Sequence, residues 1–280
     1  MTDSRYSPTG FKLLPEAVKN IIIINALFFL GSIAFSAQWG IDAADYLGLH
    51  YWGSEKFKPY QLITYMFMHG SFSHILFNMF AVWMFGYVLE NIWGPKRFLI
   101  FYFVCGLGAA LTHYVVLYYT QLSPMLNEIN QYSSDPIGFI HSAYFQLNSS
   151  SSSALQELVS NYNFAVSHNN ITEATDFAGR IMDQYKTDFL NMPNVIGASG
   201  AVFGILLAFG MMFPNQLIFL YFFFPMKAKY FVILYGALEL WGGISNNMND
   251  NVAHFAHLGG MLFGFILIKI WQKKKSNGWS

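Results

Sequence analysis

Residues 197–204 read Gly197-Ala198-Ser199-Gly200-Ala201-Val202-Phe203-Gly204, and an apolar run over residues 205–213 follows at once. A serine at this point would lie in the first turn of a membrane helix. Far along the chain, His257 lies near the start of the last apolar run. A serine and a histidine, each at the mouth of its own membrane helix, indicate a serine hydrolase that acts inside the bilayer. The alternative is a chance arrangement of polar residues in a transporter or a scaffold protein.

The composition is that of a membrane protein. Of the 280 residues, 54% are hydrophobic and 11% are charged, whereas a soluble domain carries roughly 25% charged residues. The first apolar run is not followed by a small-residue cleavage pattern, so we interpret it as a retained helix. The one cysteine, Cys105, excludes a disulfide framework and a thiolate metal site. A net charge of zero gives no general attraction to nucleic acid.

Six apolar segments are candidates for membrane helices, which need about 20 mostly apolar residues. They are residues 20–39, 72–92, 98–119, 199–213, 230–244 and 252–270. The charge-free stretch 59–89 is too long for one straight helix, so we expect Ser71 to cap the second helix. Residues 59–70 then form an apolar loop at or in the membrane surface. The predicted fold class is an all-α membrane protein, a bundle of six transmembrane helices.

The distribution of basic residues predicts the orientation in the membrane, because Lys and Arg favour the cytoplasmic side. With the N-terminus inside, eleven of the 15 basic residues lie on inner segments. We therefore expect a cytoplasmic tail at 1–19, a membrane domain at 20–272 and a second cytoplasmic tail at 273–280. In this topology Ser199, His74 and Asn78 lie at outer helix ends, and His257 lies about 8 Å inside. All four residues therefore lie at one membrane depth, on the outer side.

A long extracytoplasmic insertion, residues 120–192, separates the third and fourth predicted helices. It contains a serine run at 149–153 that is typical of a flexible segment. Two sets of apolar residues follow at helical spacing: Leu155, Leu158, Val159 and Tyr162, then Ala174, Phe177, Ile181 and Tyr185. We predict two amphipathic helices that pack on each other or lie on the membrane. The alternative is a cover that restricts substrates.

The serine needs a base to become reactive. Serine is a weak nucleophile, and His257 can serve as its base if the fourth and sixth predicted helices pack together. Small residues let helix backbones approach closely. They recur at i,i+4 spacing on both helices, at Gly200 and Gly204 and at Gly260 and Gly264. The alternative is that these glycines only pack helices and that Ser199 is a cap. His254, one turn before His257, is a second candidate for the base.

Amide hydrolysis also develops negative charge on an oxygen, which needs hydrogen-bond donors. Ser199 at a helix N-terminus offers its own N–H and the positive end of the helix dipole. His74 and Asn78 are four residues apart, so they project from one helix face. Singly, His74 is typical of a helix start at the interface and Asn78 of an interhelical hydrogen bond, but their pairing favours an oxyanion role. His69 either shapes the loop, faces solvent or joins the site.

The imidazole of His257 must also be held in a fixed orientation. Phe203 lies four residues after Ser199 and can stack on the ring of His257. No Asp or Glu occurs in the sixth predicted helix. We therefore expect a Ser–His dyad in which packing, instead of a carboxylate, fixes the ring. Glu239 in the fifth predicted helix is a functional candidate because intramembrane carboxylates are costly, but it is close enough to the outer end to reach water.

Other hydrolase classes are disfavoured. The metalloprotease motif His-Glu-x-x-His is absent, and no predicted helix supplies the aspartates of an aspartyl membrane protease. Four histidines can bind zinc in principle, but no cysteine or carboxylate accompanies them: His69, His74, His254 and His257. We expect no metal. Glu90 is expected to pair with Lys96 or Arg97.

At these residues the chain resembles the rhomboid family of intramembrane serine proteases. The matching segments are 69–78, 197–200 and 256–260 with Gly264, together with 90–94 and 97–98 at the junction of the second and third helices. The resemblance runs in order from the first to the sixth predicted helix. It leaves out the N-terminal tail and the insertion 120–192.

The resemblance implies a rhomboid-like bundle that cleaves single-span membrane proteins near the outer face without a cofactor. It matches Ser199 to the nucleophile and His257 to the general base. It matches His74 and Asn78 to the side-chain oxyanion donors. Substrates are expected to enter between the second and fifth helices. The supporting residues are Gly197, Gly200, Phe203 and Gly260. The family often has tyrosine at the position of Phe203, so this chain keeps the ring and lacks the hydroxyl.

Two functions from different classes follow from the sequence. The first is the intramembrane protease, and the second is a catalytically silent member of the same fold that binds membrane clients. The intact pair Ser199 and His257 favours the protease, because silent relatives tend to lack it. The expected partners are the lipid bilayer and transmembrane protein substrates, with no nucleic acid. The expected location is the cell (inner) membrane, with many passes.

Overall fold

The computed structural model describes residues 10–148, 152–192, 194–220, 224–245 and 253–276. Parts of both predicted tails, residues 149–151 of the serine run and the predicted start of the sixth helix at residue 252 lie outside this range. The chain is mostly helical. In chain order the helices are α1 (Glu16–Trp39), α2 (Ala43–Leu47), α3 (Gln61–Thr64), α4 (Phe72–Trp93), α5 (Pro95–Leu117), α6 (Ser123–Gln131), α7 (Pro136–His141), α8 (Ala143–Asn148), α9 (Ser153–Ser167), α10 (Ile171–Asn191), α11 (Ser199–Met212), α12 (Ala228–Ser245) and α13 (His254–Ser276).

Short strands are also present, which the all-α expectation missed. β1 (Leu49–His50) pairs antiparallel with β2 (Asn194–Val195), with Leu49 opposite Val195. β3 (Leu217–Leu220) pairs antiparallel with β4 (Phe224–Lys227) between α11 and α12. A 3-10 turn at Tyr65–Phe67 precedes α4, and a π-helical turn at Tyr118–Leu122 joins α5 to α6. All four strands are brief, so the fold class stays helical.

Four helices of the described chain are long and apolar enough to cross a membrane: Glu16–Trp39, Phe72–Trp93, Pro95–Gln131 and His254–Lys273. The third of these is longer than predicted, because α5 continues through the π-helical turn into α6 instead of ending at residue 119. At the place of the fourth predicted helix, α11 is apolar but has only 14 residues. At the place of the fifth, α12 has 18 residues. The protein is thus a multi-pass integral membrane protein.

Local capping explains where α4 and α1 begin. Ser71 adopts an extended backbone, and its hydroxyl accepts the N–H of His74, as the sequence predicts. Helix α1 follows Pro15, which offers no side-chain cap. Glu90 serves instead, because its two carboxylate oxygens accept the N–H groups of Ala17 and Val18, each at 2.8 Å. The expected pairing of Glu90 with Lys96 or Arg97 is therefore wrong. A buried carboxylate is stabilised by the positive end of a helix as well as by a basic side chain.

The described residues fold as two units. The first unit comprises Met1–Leu47, Leu62–His113 and Ile196–Ser280. In it α4 packs on α1 and α11, and α11 packs on α13. Its apolar loop is buried against the protein: Tyr65 donates its hydroxyl to the carbonyl of Gly106 at 2.7 Å, and Met66 lies against the same glycine. The loop is thus held by the first unit's own helices.

The second unit comprises Gly48–Gln61 and Tyr114–Val195. Helix α9 packs on α10, and α7 also packs on α10. Both predicted amphipathic helices are confirmed, since Leu155, Tyr162, Ala174, Ile181 and Tyr185 are buried in a shared core. The helices therefore pack on each other, which was one of the expected arrangements.

Candidate active site

Ser199 is the first residue of α11, and the chain makes an unusual turn just before it. Gly197 has φ of +124°, a conformation that side chains rarely adopt. Its N–H donates to the carbonyl of Tyr65 at 2.9 Å, which holds the turn in place. Ala198 at the N-cap gives no side-chain cap. Because the first N–H groups of a helix have no intrahelical acceptor, the N–H of Ser199 is available to a negatively charged group.

The structure brings Ser199 and His257 together across 58 positions of sequence. The hydroxyl Oγ of Ser199 lies 2.7 Å from Nε2 of His257. His257 lies in the first turn of α13, and only 8% of the residue is exposed. The 2.7 Å between Oγ and Nε2 is the distance of a well-formed hydrogen bond between a hydroxyl and an imidazole. Ser199 and His257 are therefore in direct contact, as the sequence predicts.

Glycines make this contact possible. A Cβ atom on Gly260 of α13 would overlap the carbonyl of Gly200 on α11. One turn further along, a Cβ on Gly264 would lie 3.4 Å from the Cα of Gly204. The two helices thus touch backbone to backbone along the predicted small-residue faces. Cys105 of α5 fills the remaining space beside Gly204, which accounts for its burial.

Phe203 packs face to face on the imidazole of His257. The ring centroids are 4.4 Å apart and the planes are inclined by 8°. The predicted stacking is therefore confirmed. The ring of Phe203 lies one turn after Ser199 on the same helix, so α11 contacts both the edge and the face of the imidazole.

A carboxylate also contacts this imidazole, contrary to the expectation of a dyad fixed by packing alone. Oε2 of Glu239 on α12 lies 2.8 Å from Nδ1 of His257. The same oxygen lies 2.7 Å from Nδ1 of His254. The expectation of a dyad rested on the absence of Asp and Glu from the sixth predicted helix, whereas this carboxylate comes from the neighbouring helix. The useful signal was that Glu239 and His257 lie near the outer ends of adjacent predicted helices.

His74 lies beside the turn that precedes Ser199. A Cβ on Gly197 would come within 2.9 Å of Nε2 of His74, so only glycine leaves room for this ring. His69 packs against His74 edge to face at 4.9 Å, and it is buried. Burial, with a smaller contribution from His74, lowers the pKa of His69 to about 4. His69 is therefore neutral at pH 7 and contacts the site through His74.

Asn78 lies one turn after His74 on α4, and it is buried. Its side-chain nitrogen Nδ2 makes no hydrogen bond with any described residue. An unpaired buried amide costs about 1–3 kcal/mol, so this donor calls for an explanation. An interhelical hydrogen bond, the structural alternative for Asn78, does not explain this nitrogen, because the nitrogen donates to no described residue.

Three residues of the site have the ligand atoms for a metal ion. The nearest donor atoms of Glu239, His254 and His257 all lie within 4.8 Å of one another. His69 and His74, which the sequence also offered as ligands, do not belong to this group. The contacts of Glu239 with both imidazoles have the length of N–H···O hydrogen bonds. The expectation that no carboxylate accompanies the four histidines is therefore wrong for His254 and His257.

The chemistry open to this site is nucleophilic acyl transfer. It combines a serine hydroxyl, an imidazole that can take its proton, and N–H donors at a helix start. Nδ1 of His254 lies 2.7 Å from Oε2 of Glu239, whereas Nε2 of His257 lies 2.7 Å from Oγ of Ser199. Of the two candidate bases, His257 is the one in place.

Comparison with known proteins agrees with this geometry. A family model described as the Rhomboid domain matches residues 56–127 and 166–274, more than half of the chain. The match is interrupted within the second unit and includes every site residue described above. A relative from Bacillus subtilis (strain 168), named "Putative rhomboid protease YdcA", is 22% identical over 218 residues, which cover 77% of this chain and 69% of the relative.

Proposed function

The chain belongs to the rhomboid family, and we propose that it is an intramembrane serine endopeptidase with Ser199 as nucleophile and His257 as general base. The observation that carries the proposal is the 2.7 Å contact between Oγ of Ser199 and Nε2 of His257. A helix cap would satisfy the hydroxyl with a backbone N–H of its own helix. Here the hydroxyl meets an imidazole from another helix, which is the arrangement of an activated serine.

The reaction proceeds in two stages. Oγ of Ser199 attacks the carbonyl carbon of the scissile bond while Nε2 of His257 takes the hydroxyl proton. The tetrahedral intermediate collapses to an acyl-enzyme as His257 returns the proton to the leaving amine. A water molecule then gives a proton to His257 and attacks the acyl carbon. The second tetrahedral intermediate collapses as His257 returns this proton to Oγ of Ser199, which releases the carboxylic acid and restores both residues. Apart from this water, all steps use groups that the chain itself supplies.

The developing oxyanion is held by the N–H of Ser199, Nε2–H of His74 and Nδ2–H of Asn78. The unpaired amide of Asn78 supports this role, because a donor kept without a partner in the resting protein costs no bond when the charge forms. His74 is brought against the turn at Gly197, directly before the nucleophile. The N-terminal end of α11 adds its positive dipole.

The substrates we propose are single-span membrane proteins, cut near the outer face. The first unit presents large apolar side chains outwards from α1 and α12, including Leu27 and Trp241, as helices in contact with lipid do. In this proposal α11 and α12 complete six membrane helices, and both termini are cytoplasmic. Single cysteines introduced into a Cys105→Ser background, at residues 12 and 56, should be labelled from the inner and outer side respectively.

The test uses purified protein in detergent and in proteoliposomes. Ser199→Ala and His257→Ala should each abolish labelling by a fluorophosphonate probe and cleavage of a transmembrane substrate. The double variant should be no worse than either, because the pair acts as a unit. Ser32→Ala is the matched control, since its hydroxyl only donates to the carbonyl of Phe29 within α1. Cleavage by Ser199→Ala at the wild-type rate would refute the proposal.

The alternative, a silent protein that binds membrane clients, makes the opposite prediction. It would retain a transmembrane client in both wild type and Ser199→Ala, and neither would react with the probe. The hydrogen bond of 2.7 Å between Ser199 and His257 favours the protease, because binding of a client does not require a serine activated by a histidine.

A further inference from the structure

We propose that Glu239 is a positioning residue for the reaction, which sets the tautomer and the orientation of His257 through Nδ1. The proposal rests on the function given above, because it concerns the same imidazole. It extends the Ser–His pair to a hydrogen-bonded chain of three residues on three helices, α11, α13 and α12.

The geometry assigns one task to each ring nitrogen of His257. Nε2 faces Oγ of Ser199, and Nδ1 faces Oε2 of Glu239. A carboxylate can only accept a hydrogen bond, so the proton must be on Nδ1. Nε2 of the neutral ring is then an acceptor, which is the state that a general base needs. Without the carboxylate, nothing in the contact with Phe203 distinguishes the two nitrogens, because stacking acts on the face of the ring.

A second imidazole holds the carboxylate itself. His254 donates Nδ1–H to the same oxygen at 2.7 Å. His254 and His257 are three residues apart on α13, so both donate hydrogen bonds to Glu239 from the same face of that helix. Of these two imidazoles, His257 is the one whose Nε2 contacts Ser199. His254 therefore anchors Glu239, and Glu239 orients His257.

The surroundings explain why α12 can deliver a carboxylate to this place. A Cβ on Gly242 would overlap the ring of His254, and one on Gly243 would come within 2.8 Å of the ring of Phe255. These two glycines let α12 lie close to the start of α13. The side chain of Glu239 is only 12% exposed, and that of His257 only 10%. Charge-assisted hydrogen bonds are stronger in such a site than in water.

The carboxylate also acts during turnover. When His257 takes the proton of Ser199 it becomes an imidazolium, and the negative charge of Glu239 stabilises that state. Glu239 keeps its negative charge throughout and takes no proton. In soluble serine proteases, replacement of the corresponding carboxylate by its amide lowers kcat by about 10⁴-fold through the wrong tautomer. We expect a smaller loss, about 10²-fold, because Phe203 still holds the plane of the ring.

The experiment separates positioning from simple helix packing. Glu239→Gln keeps the shape of the side chain and offers an NH2 group that can donate to Nδ1, which favours the inactive tautomer. We expect kcat to fall about 10²-fold with KM changed less than threefold. Glu239→Asp retains the charge on a shorter side chain and should recover at least tenfold of the lost kcat.

Glu90→Gln is the matched control. Glu90 is also a buried glutamate of the first unit, but its oxygens accept backbone N–H groups of α1. This variant should lower the thermal stability and leave kcat within twofold of wild type. A purely structural role for Glu239 would make the two glutamine variants behave alike, and that result would overturn the proposal.

A comparison with Ser199→Ala and one further readout keep the outcomes distinct. If Ser199→Ala is inactive but folded Glu239→Gln has wild-type kcat, the positioning role is wrong and the proposed function stands. If Ser199→Ala is active, the proposed function itself fails. Should Glu239→Gln not fold, nitrogen-15 NMR of histidine-labelled wild type decides: the proton of neutral His257 must be on Nδ1, with the signal identified by its loss in His257→Ala. A proton on Nε2 would refute the proposal.

Discussion

Adding one methyl group at Gly260 should separate Ser199, the proposed nucleophile, from His257, its proposed base. In Gly260→Ala the new Cβ overlaps the carbonyl of Gly200, whereas real Cβ atoms essentially never come closer than 3.0 Å to such an atom. The backbones of α11 and α13 must therefore separate by about 1 Å, and overpacking of this kind costs about 1–3 kcal/mol.

The same movement acts on the Ser199–His257 distance, because the two residues lie on the two helices that separate. A hydrogen bond of 2.7 Å lengthened by about 1 Å is no longer a hydrogen bond. A misplacement of about 1 Å can cost about 10²-fold in rate. We therefore expect the rate of fluorophosphonate labelling and kcat/KM for a transmembrane substrate to fall together by about that factor.

A graded set of glycine variants controls for the effect of alanine on helices. On α1, a Cβ at Gly31 meets nothing within 4 Å, and on α12 a Cβ at Gly236 meets only Met261 at 3.5 Å. Alanine at either position should leave labelling unchanged. Gly264→Ala meets Phe101 at 3.0 Å and should fall between these controls and Gly260→Ala. Folded Gly260→Ala that labels at the wild-type rate would refute the reasoning.

Three more predictions follow from the site. Asn78→Ala should lower kcat by up to about 10²-fold with little change in KM, because an oxyanion donor acts in the transition state; an unchanged kcat would reduce Asn78 to a packing residue. His69, with a pKa of about 4, stays neutral where the unfolded chain takes up a proton, so its contribution of about 3 kcal/mol to stability is present above pH 6.5 and is lost as the pH falls towards 4. Thermal unfolding of His69→Phe should lack this part of the pH dependence, and an identical profile would contradict the assignment. EDTA should leave proteolysis unchanged, while Zn²⁺ should inhibit wild type more than His254→Ala, because zinc would compete for Nδ1 of His257; loss of activity in EDTA would point to a metal enzyme.

The parts of the site that depend on local sequence were predictable. Ser71 could be assigned as the cap of α4, because a serine before an apolar run satisfies N–H groups only a few residues away. The stacking of Phe203 follows from the i,i+4 geometry of one helix. The contact between Ser199 and His257 is long-range, but the matched small residues on both helices indicated it.

The carboxylate contacts were not predictable in the same way. Glu90 and Glu239 are each an isolated charge in an apolar stretch, and nothing in their local sequence identifies an acceptor or donor on another helix. Glu90 turned out to bind the N-terminal N–H groups of α1, which a sequence offers at every helix start. Glu239 reaches His257 because Gly242 and Gly243 allow α12 to approach α13. The partners of these two carboxylates depend on which helices pack together, and that packing is part of the tertiary structure, which the local sequence does not specify.

Two independent constraints on His257 follow from the arrangement of the three helices. The distance from Nε2 to the serine depends on the contact between α11 and α13, because these helices carry the two groups. The tautomer of the ring depends on α12, because Glu239 is the group that faces Nδ1. Variants of the glycine contact should therefore slow probe labelling by changing a distance, whereas Glu239→Gln should change the protonation of a ring whose position is kept by Phe203. If both kinds of variant shifted the proton on His257 equally, the distance to the serine and the tautomer of the ring would not be set independently. Helix α12 would then act only by pressing α13 against α11.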